Sequence, residues 1–404
     1  MKRRTPSRPQ WIREDRLPTL EDLAWLESPA GQAACQTMAE AEPADTPAAI
    51  ERWRQRLTPR QVSAAWTQVL LRRAGAAKFS RAAQMLFDRV GLEQCTDEAI
   101  ATHKARRFAG ARRVADLCCG IGGDALALAA GRELVAVDWS AVRAEMARHN
   151  AAVYGREITA RTGDVSFDWP EADAAHIDPD RRPAGRRSHD IEAGSPGLRT
   201  LERIVARYGQ VAIKLSPGAN FKELPFPAEI ELISHHGECK QAVAWTGEWA
   251  QASRRATVLP AGKSLTALPG ELLDWPLARP PEPECFLYEP DPAVIRADLV
   301  GVLAWKHGLA PVDSHVAWLV GDQAITDPLM RTFRVLDVRP WSAKPARVWL
   351  AHYDIGPLEV KTRAFAASPE AILKQVRPGG SRPGVLFLTR LENRPTAILA
   401  ERLA

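Results

Sequence analysis

The most constraining feature of this sequence is a short apolar run, Val114–Cys118, that breaks into Gly120-Ile-Gly122-Gly123 and then into a helical pattern from Asp124 to Ala130. A strand, a glycine-rich turn and a helix in succession open a parallel α/β sheet. The alternation continues. Leu134–Asp138 reads as a second strand and residues 141–154 as a helix. Ala174–Asp178 and Val211–Leu215 supply further strands, with a helix over 198–208 between them. Glu229–Ser234, Gln241–Thr246 and Ala256–Leu259 are later strand candidates that would complete one edge. The expected core is therefore α/β, with ligands bound beyond the carboxyl ends of its strands.

The flanks differ in texture. Residues 1–79 read as a helical region. Thr58-Pro59-Arg60-Gln61 has the form of a capped helix start, and Val62, Ala65, Trp66, Val69 and Leu70 follow at helical spacing. Pro276, Pro280, Pro281, Pro283, Pro290 and Pro292 crowd one stretch, a linker signal, and Asp291-Pro292 then opens a helix expected over Ala293–Trp305. Beyond Arg331 a small α+β unit is expected, with strands Thr332–Val338, Leu358–Thr362, Val385–Arg390 and Thr396–Ala400 and helices over 345–352 and 369–376. The spacing thus divides the chain into 1–79, a core at 80–262, a linker and helical connector at 263–330, and 331–404.

Gly120-Ile-Gly122-Gly123-Asp124-Ala125 fits the dinucleotide fingerprint, and Asp138 lies 18 positions after Gly120, near the ~20 that places a carboxylate on a ribose. A nicotinamide dinucleotide is thus a competitor. Three further carboxylates separate the readings. Asp116, before the glycines, would repel a pyrophosphate but suits the ammonium of a methionine moiety. Asp164 falls where the third strand should end and can accept from an adenine amine. Asp178-Pro179 follows the fourth strand, next to where a transferable methyl would sit. Together they favour S-adenosylmethionine, held by Asp116, Cys118, Gly120, Gly122, Gly123, Asp138 and Asp164, with Trp139 flanking the adenine. Asp124 is placed to stabilise a helix N-terminus. Asp178 and Pro179 are the expected catalytic pair. Arg181, Arg182 and Lys214 are expected to face the substrate, the arginines on phosphates. No His/Cys/Asp spacing suggests a metal, and methyl transfer to an amine does not require one.

Leu92–Thr96, Asp116–Asp124, His176–Arg182, Lys214–Gly218, Arg254–Pro260 and Leu287–Arg296 resemble segments of bacterial methyltransferases with a C-terminal THUMP-like domain. The Asp-x-Cys-x-Gly-x-Gly-Gly loop is also similar to that of trimethylguanosine synthase, a guanine-N2 cap enzyme. The resemblance implies a Rossmann-like class I methyltransferase core with a helical N-terminal region and a small C-terminal α+β domain. It also implies cofactor roles for Asp116, Gly120 and Asp138, and an RNA substrate. One departure limits it: Asp178-Pro179-Asp180-Arg181 stands where that synthase has Ser-Pro-Pro-Trp, so the tryptophan that stacks on a cap guanine is missing.

Composition adds boundaries rather than direction. The net charge of +5 is no nucleic-acid signature, although 43 of the 54 basic residues are Arg. Six cysteines without a C-x-x-C pair fit free thiols in a reducing compartment. No apolar run approaches the ~20 residues that span a bilayer, so the expected location is cytoplasmic. The reading is a methyltransferase acting on RNA at a base amino group. Its rivals are an RNA-binding protein that keeps the cofactor without catalysis, and a methyltransferase for protein or small molecules.

Overall fold

The computed structural model describes residues 17–41, 47–180, 190–268, 271 and 275–403. It divides into two compact units. The first runs to Leu215 and adds Ala219–Pro227 and Ala244–Trp249; the second holds Ser216–Gly218, Ala228–Val243 and the chain from Ala250 onward.

The first unit begins with helices α1 (Leu20–Glu27), α2 (Pro29–Glu40), α3 (Pro47–Arg54) and α4 (Pro59–Gly75). Both α1 and α4 start at reciprocal capping boxes, Thr19 with Asp22 and Thr58 with Gln61. A cap of this kind contributes about 1 kcal/mol. Leu23, Leu26, Val62, Ala65, Trp66 and Val69 share one core with Leu92, Ile121, Leu126, Met146 and Ala151. The helices therefore bury their apolar face on the α/β part rather than only on each other. Two buried amides pin the segment between them. Gln68 exchanges hydrogen bonds with the backbone of Phe87, and Asn150 with that of Leu86 while also donating to Ile121 O at 2.9 Å.

After α5 (Arg89–Gln94) and α6 (Glu98–Ala105) the sheet begins. Its elements are β1 (Arg113–Leu117), α7 (Ala125–Leu128), β2 (Glu133–Asp138), α8 (Ala141–Val153), β3 (Thr159–Thr162), β4 (Ala174–Ile177), α9 (Leu198–Tyr208) and β5 (Val211–Leu215). These five strands are parallel in the order β3-β2-β1-β4-β5. The chain runs outward from β1 to β3, then returns to lay β4 on the other side of β1. The loops after β1 and β4 diverge at that switch point, where an open α/β sheet binds its ligand.

The second unit contains β6 (Glu229–His235), most of β7 (Glu238–Trp245), β8 (Arg254–Leu259) and β9 (Lys263–Ala267), in the order β7-β6-β8-β9. A seven-stranded sheet follows, formed by β10 (Phe286–Pro290), β11 (Ala310–Asp313), β12 (Val316–Gly321), β13 (Met330–Pro340), β14 (Ile355–Thr362), β15 (Arg382–Leu391) and β16 (Arg394–Arg402), in the order β11-β12-β10-β13-β16-β15-β14. Between these strands lie α10 (Pro292–Arg296), α11 (Val300–His307), α12 (Ala343–His352) and α13 (Pro369–Val376). Alternation along the strands makes two cores. Val385, Phe387, Ile398 and Ala400 belong to one, with Trp318 and Phe333; Leu386, Leu388, Ala397 and Leu399 belong to the other, with Trp349 and Ile372 of the two later helices.

Two expectations for residues 263–330 change. The proline-crowded stretch contains β10, an inner strand between β12 and β13. Its prolines stay out of the ladder interior, Pro290 being its last residue. The single helix expected over Ala293–Trp305 is two, α10 and α11, separated where Asp298 takes φ +60°. Aspartate adopts that conformation more readily than most residues, so a break can occur without a glycine to announce it.

Candidate functional site

The loop after β1 turns through three left-handed positions in five residues: Cys118 at φ +58°, Gly120 at +54° and Gly122 at +88°. For Cys118 the conformation costs roughly 1–2 kcal/mol. The three glycines serve different purposes. A Cβ on Gly122 would lie 3.0 Å from Ala147 Cα of α8, and one on Gly123 would lie 2.9 Å from Thr96 O. Those two let the fold close on the loop. A Cβ on Gly120 would meet nothing within 4 Å. Gly120 alone faces open space, so it is the position where a ligand can approach backbone.

Carboxylates hold this loop from three directions. Asp138, ending β2, accepts from Gly120 N–H at 2.9 Å through Oδ2 and from Ser140 N–H at 2.9 Å through Oδ1. Burial raises its pKa above the ordinary carboxylate range, although both amides act the other way. Asp116 is wholly enclosed, and its register partner on β4 is His176. His176 Nδ1 lies 2.7 Å from Asp116 Oδ1, while Asp116 Oδ2 is buried with no hydrogen-bond partner. Desolvation pushes this carboxyl upward as well. Asp124 closes the far end of the loop. It stands at the expected N-cap of α7, without a side-chain cap bond. Instead it pairs with Lys104 Nζ of α6 at 2.6 Å and accepts from Thr96 Oγ1 at 2.7 Å. Burial is the largest single influence and acts to raise its pKa, but the charges of Lys104, His176 and Lys214 together with the Lys104 hydrogen bond hold it well below the ordinary carboxylate range.

The outer carboxylates sit differently. Asp164 follows β3, is exposed, and folds its own turn by accepting from Ser166 N–H at 2.8 Å. Trp139 and Phe167 are exposed aromatic rings, each in the loop after β2 or β3. Asp178 begins the loop after β4, and Lys214 of β5 donates to its Oδ2 at 2.6 Å and to Gln94 O at 3.0 Å. Pro179 and Asp180 follow, and Gln94 Nε2 donates to Asp180 Oδ1 at 3.2 Å. Arg181 and Arg182 lie outside the described residues.

These groups converge on one place. The Cys118 thiol is held well above its ordinary range by burial first, then by Asp138, Asp178, Asp116 and Asp180. Four carboxylates thus act on one loop residue at the switch point, and one of them, Asp178, is paired with Lys214. Such a site suits a cation and disfavours a phosphate. Its thiol is no nucleophile, because only a thiolate attacks.

Sequence reading missed Lys104, Thr96 and His176 as part of the site. A signal existed for each carboxylate: a charge in a fully buried strand such as β1 requires a partner. Nothing in the spacing says that the partner comes from α6 and β4.

Comparison with known proteins adds family information. Residues 111–180 match the family described as RNA cap guanine-N2 methyltransferase, residues 330–402 the THUMP domain-like family, and residues 19–75 a domain of unknown function. An uncharacterized S-adenosylmethionine-dependent methyltransferase of Mycobacterium tuberculosis, present in two strains, is 35% identical over 339 residues. That match covers 80% of this chain and 91% of the relative. A solved structure from Porphyromonas gingivalis, described as a methyltransferase, superposes with a TM-score of 0.77 over 95% of this chain and 98% of its own. At 19% identity it shows a common fold.

Proposed function

The chain belongs to the S-adenosylmethionine-dependent methyltransferases of its mycobacterial relatives, and from that premise we propose that it methylates RNA at a base amino group. The residues fit the cofactor. Gly120 leaves backbone open to a ligand, Asp138 offers carboxylate oxygens to a ribose, and the surrounding carboxylates favour a sulfonium and an ammonium. Asp116, Cys118, Gly120 and Asp138 would hold it, with Trp139 and Asp164 at the adenine end.

The chemistry supplied by the bound cofactor is a methyl group already activated for in-line displacement. The chain then has to align an acceptor and manage one proton. Lys214 engages Asp178 Oδ2, which leaves Oδ1 to accept from the acceptor's N–H. That hydrogen bond would orient the amine so that its lone pair turns out of the ring system and toward the methyl. Once the methyl has passed from the cofactor's sulfur to the nitrogen, leaving the thioether, the extra N–H proton would pass to Asp178 and then to solvent.

The observation that carries the RNA reading is where the positive charge lies. Residues 331–404 contain thirteen Lys and Arg against six Asp and Glu, although the whole chain has a net charge of only +5. The remainder is therefore slightly acidic, and the THUMP-like unit is the basic one. A polyanion would dock there, with Arg181 and Arg182 proposed to meet phosphates beside the site.

Incubation of the full chain with methyl-labelled cofactor and total RNA, protein or metabolite pools tests the proposal. Label that RNase releases, found on a base nitrogen by nucleoside analysis, is the expected result. Label confined to protein or metabolites overturns it.

A further inference from the structure

One imidazole spans the two ends of the cofactor loop. His176 Nδ1 is 2.7 Å from Asp116 Oδ1, before the glycines, and Nε2 is 3.6 Å from Asp124 Oδ2, after them. Lys104 Nζ, 3.1 Å from Nε2, is also 2.6 Å from Asp124 Oδ1. All four side chains are buried.

The geometry sets the proton positions. An ammonium donates, so Nε2 of His176 accepts and the ring proton sits on Nδ1, where it is donated to Asp116 Oδ1. The cluster then holds two carboxylates against one ammonium. The uncompensated charge falls on Asp116, whose Oδ2 is enclosed and unpartnered. A buried anionic oxygen in that condition is costly, and a functional partner is a standard explanation for one. Burial raises the pKa of Asp116, and His176 and Lys104 offset it only in part.

We propose that His176, locked in one tautomer by Lys104, is a positioning residue that orients Asp116 so that its free oxygen receives the α-ammonium of the cofactor. The inference rests on the cofactor and not on which acceptor is methylated. It separates this part of the pocket from the Gly120–Asp138 part, which would serve the nucleoside. A ligand lacking the amino-acid moiety is therefore indifferent to His176.

Calorimetry on the full chain tests this with two probes, S-adenosylhomocysteine, which keeps the ammonium, and methylthioadenosine, which lacks it. His176→Leu should weaken the first about tenfold or more, the range of a lost charge-assisted bond, and the second by less than about threefold. His176→Asn, whose amide can replace the Nδ1 donor, should retain most of the affinity for S-adenosylhomocysteine. His176→Gln, which reaches the Nε2 position instead, should not. Equal losses for both probes, unchanged binding in His176→Leu, or equal behaviour of the Asn and Gln variants overturns the proposal. Should the Leu variant fail to fold, the Asn and Gln pair decides alone.

Discussion

Asp178, the first residue past β4, and Lys214 of the adjacent parallel β5 stand side by side, one residue beyond the register pair Ile177 and Ile213, with carboxylate and ammonium 2.6 Å apart. Lys214 is nearly enclosed and Asp178 about one-quarter exposed. The lysine therefore acts as a fixed internal counter-ion, and the carboxylate is the member that can meet a substrate.

Asp178→Asn should lower the methyl-transfer rate by roughly two to four orders of magnitude, the usual contribution of a positioned proton acceptor, with cofactor affinity unchanged. Lys214→Met should cost less in rate, because it frees the carboxylate without removing it. Single-turnover measurements with labelled cofactor, alongside calorimetry, read both. A full-rate Asn variant refutes the role of Asp178.

Asp138→Ala should weaken cofactor binding by about 1.5–3 kcal/mol. It removes the ribose acceptor and also releases Gly120 N–H. Calorimetry that finds the affinity intact would contradict the assignment.

The glycines should separate by readout. Gly120→Ala has room for its methyl group but keeps a left-handed backbone, so cofactor affinity suffers most. Gly122→Ala must push against the backbone of α8, and thermal stability falls further. Melting curves and binding isotherms of the two variants should rank in opposite order.

Asp124→Asn leaves Lys104 buried beside a neutral group, a loss of about 3–5 kcal/mol for a broken buried pair. The pKa of Asp124 is lowered in the fold, so its stabilisation is complete above the ordinary carboxylate range and fades as pH falls below it. The gap in melting temperature between wild type and variant should be widest near neutral pH and narrow under acid. A gap independent of pH would show that the carboxylate charge does not stabilise this cluster.

Arg181→Ala combined with Arg182→Ala should spare cofactor binding while lowering RNA affinity and flattening its dependence on salt. An unchanged salt slope in filter binding would remove these residues from the phosphate path.

Much of this was legible from local pattern. The apolar runs of β1, β2, β4 and β5 and the capped start of α4 need only their own residues to be read. The strands β10 to β12 were not, because prolines and short length hide an inner strand whose partners are remote. Within the site, Asp138 and Asp178 follow strands in the expected way. Asp116 lies in the buried part of β1, where its Oδ1 engages His176. The identity of its partner depends on register between strands sixty residues apart, which no short motif records.

The side chain of Asn150 has a consequence for how the molecule breathes. It binds Leu86 from both sides and Ile121 in the cofactor loop with the same amide. Opening the 85–87 segment therefore removes two of the three bonds that fix the amide holding the loop, and opening the loop removes the third. The two should exchange amide hydrogens as one cooperative unit. Cofactor added to the protein would then slow exchange in the N-terminal helices that α4 joins to that segment, far along the chain from any residue the ligand touches.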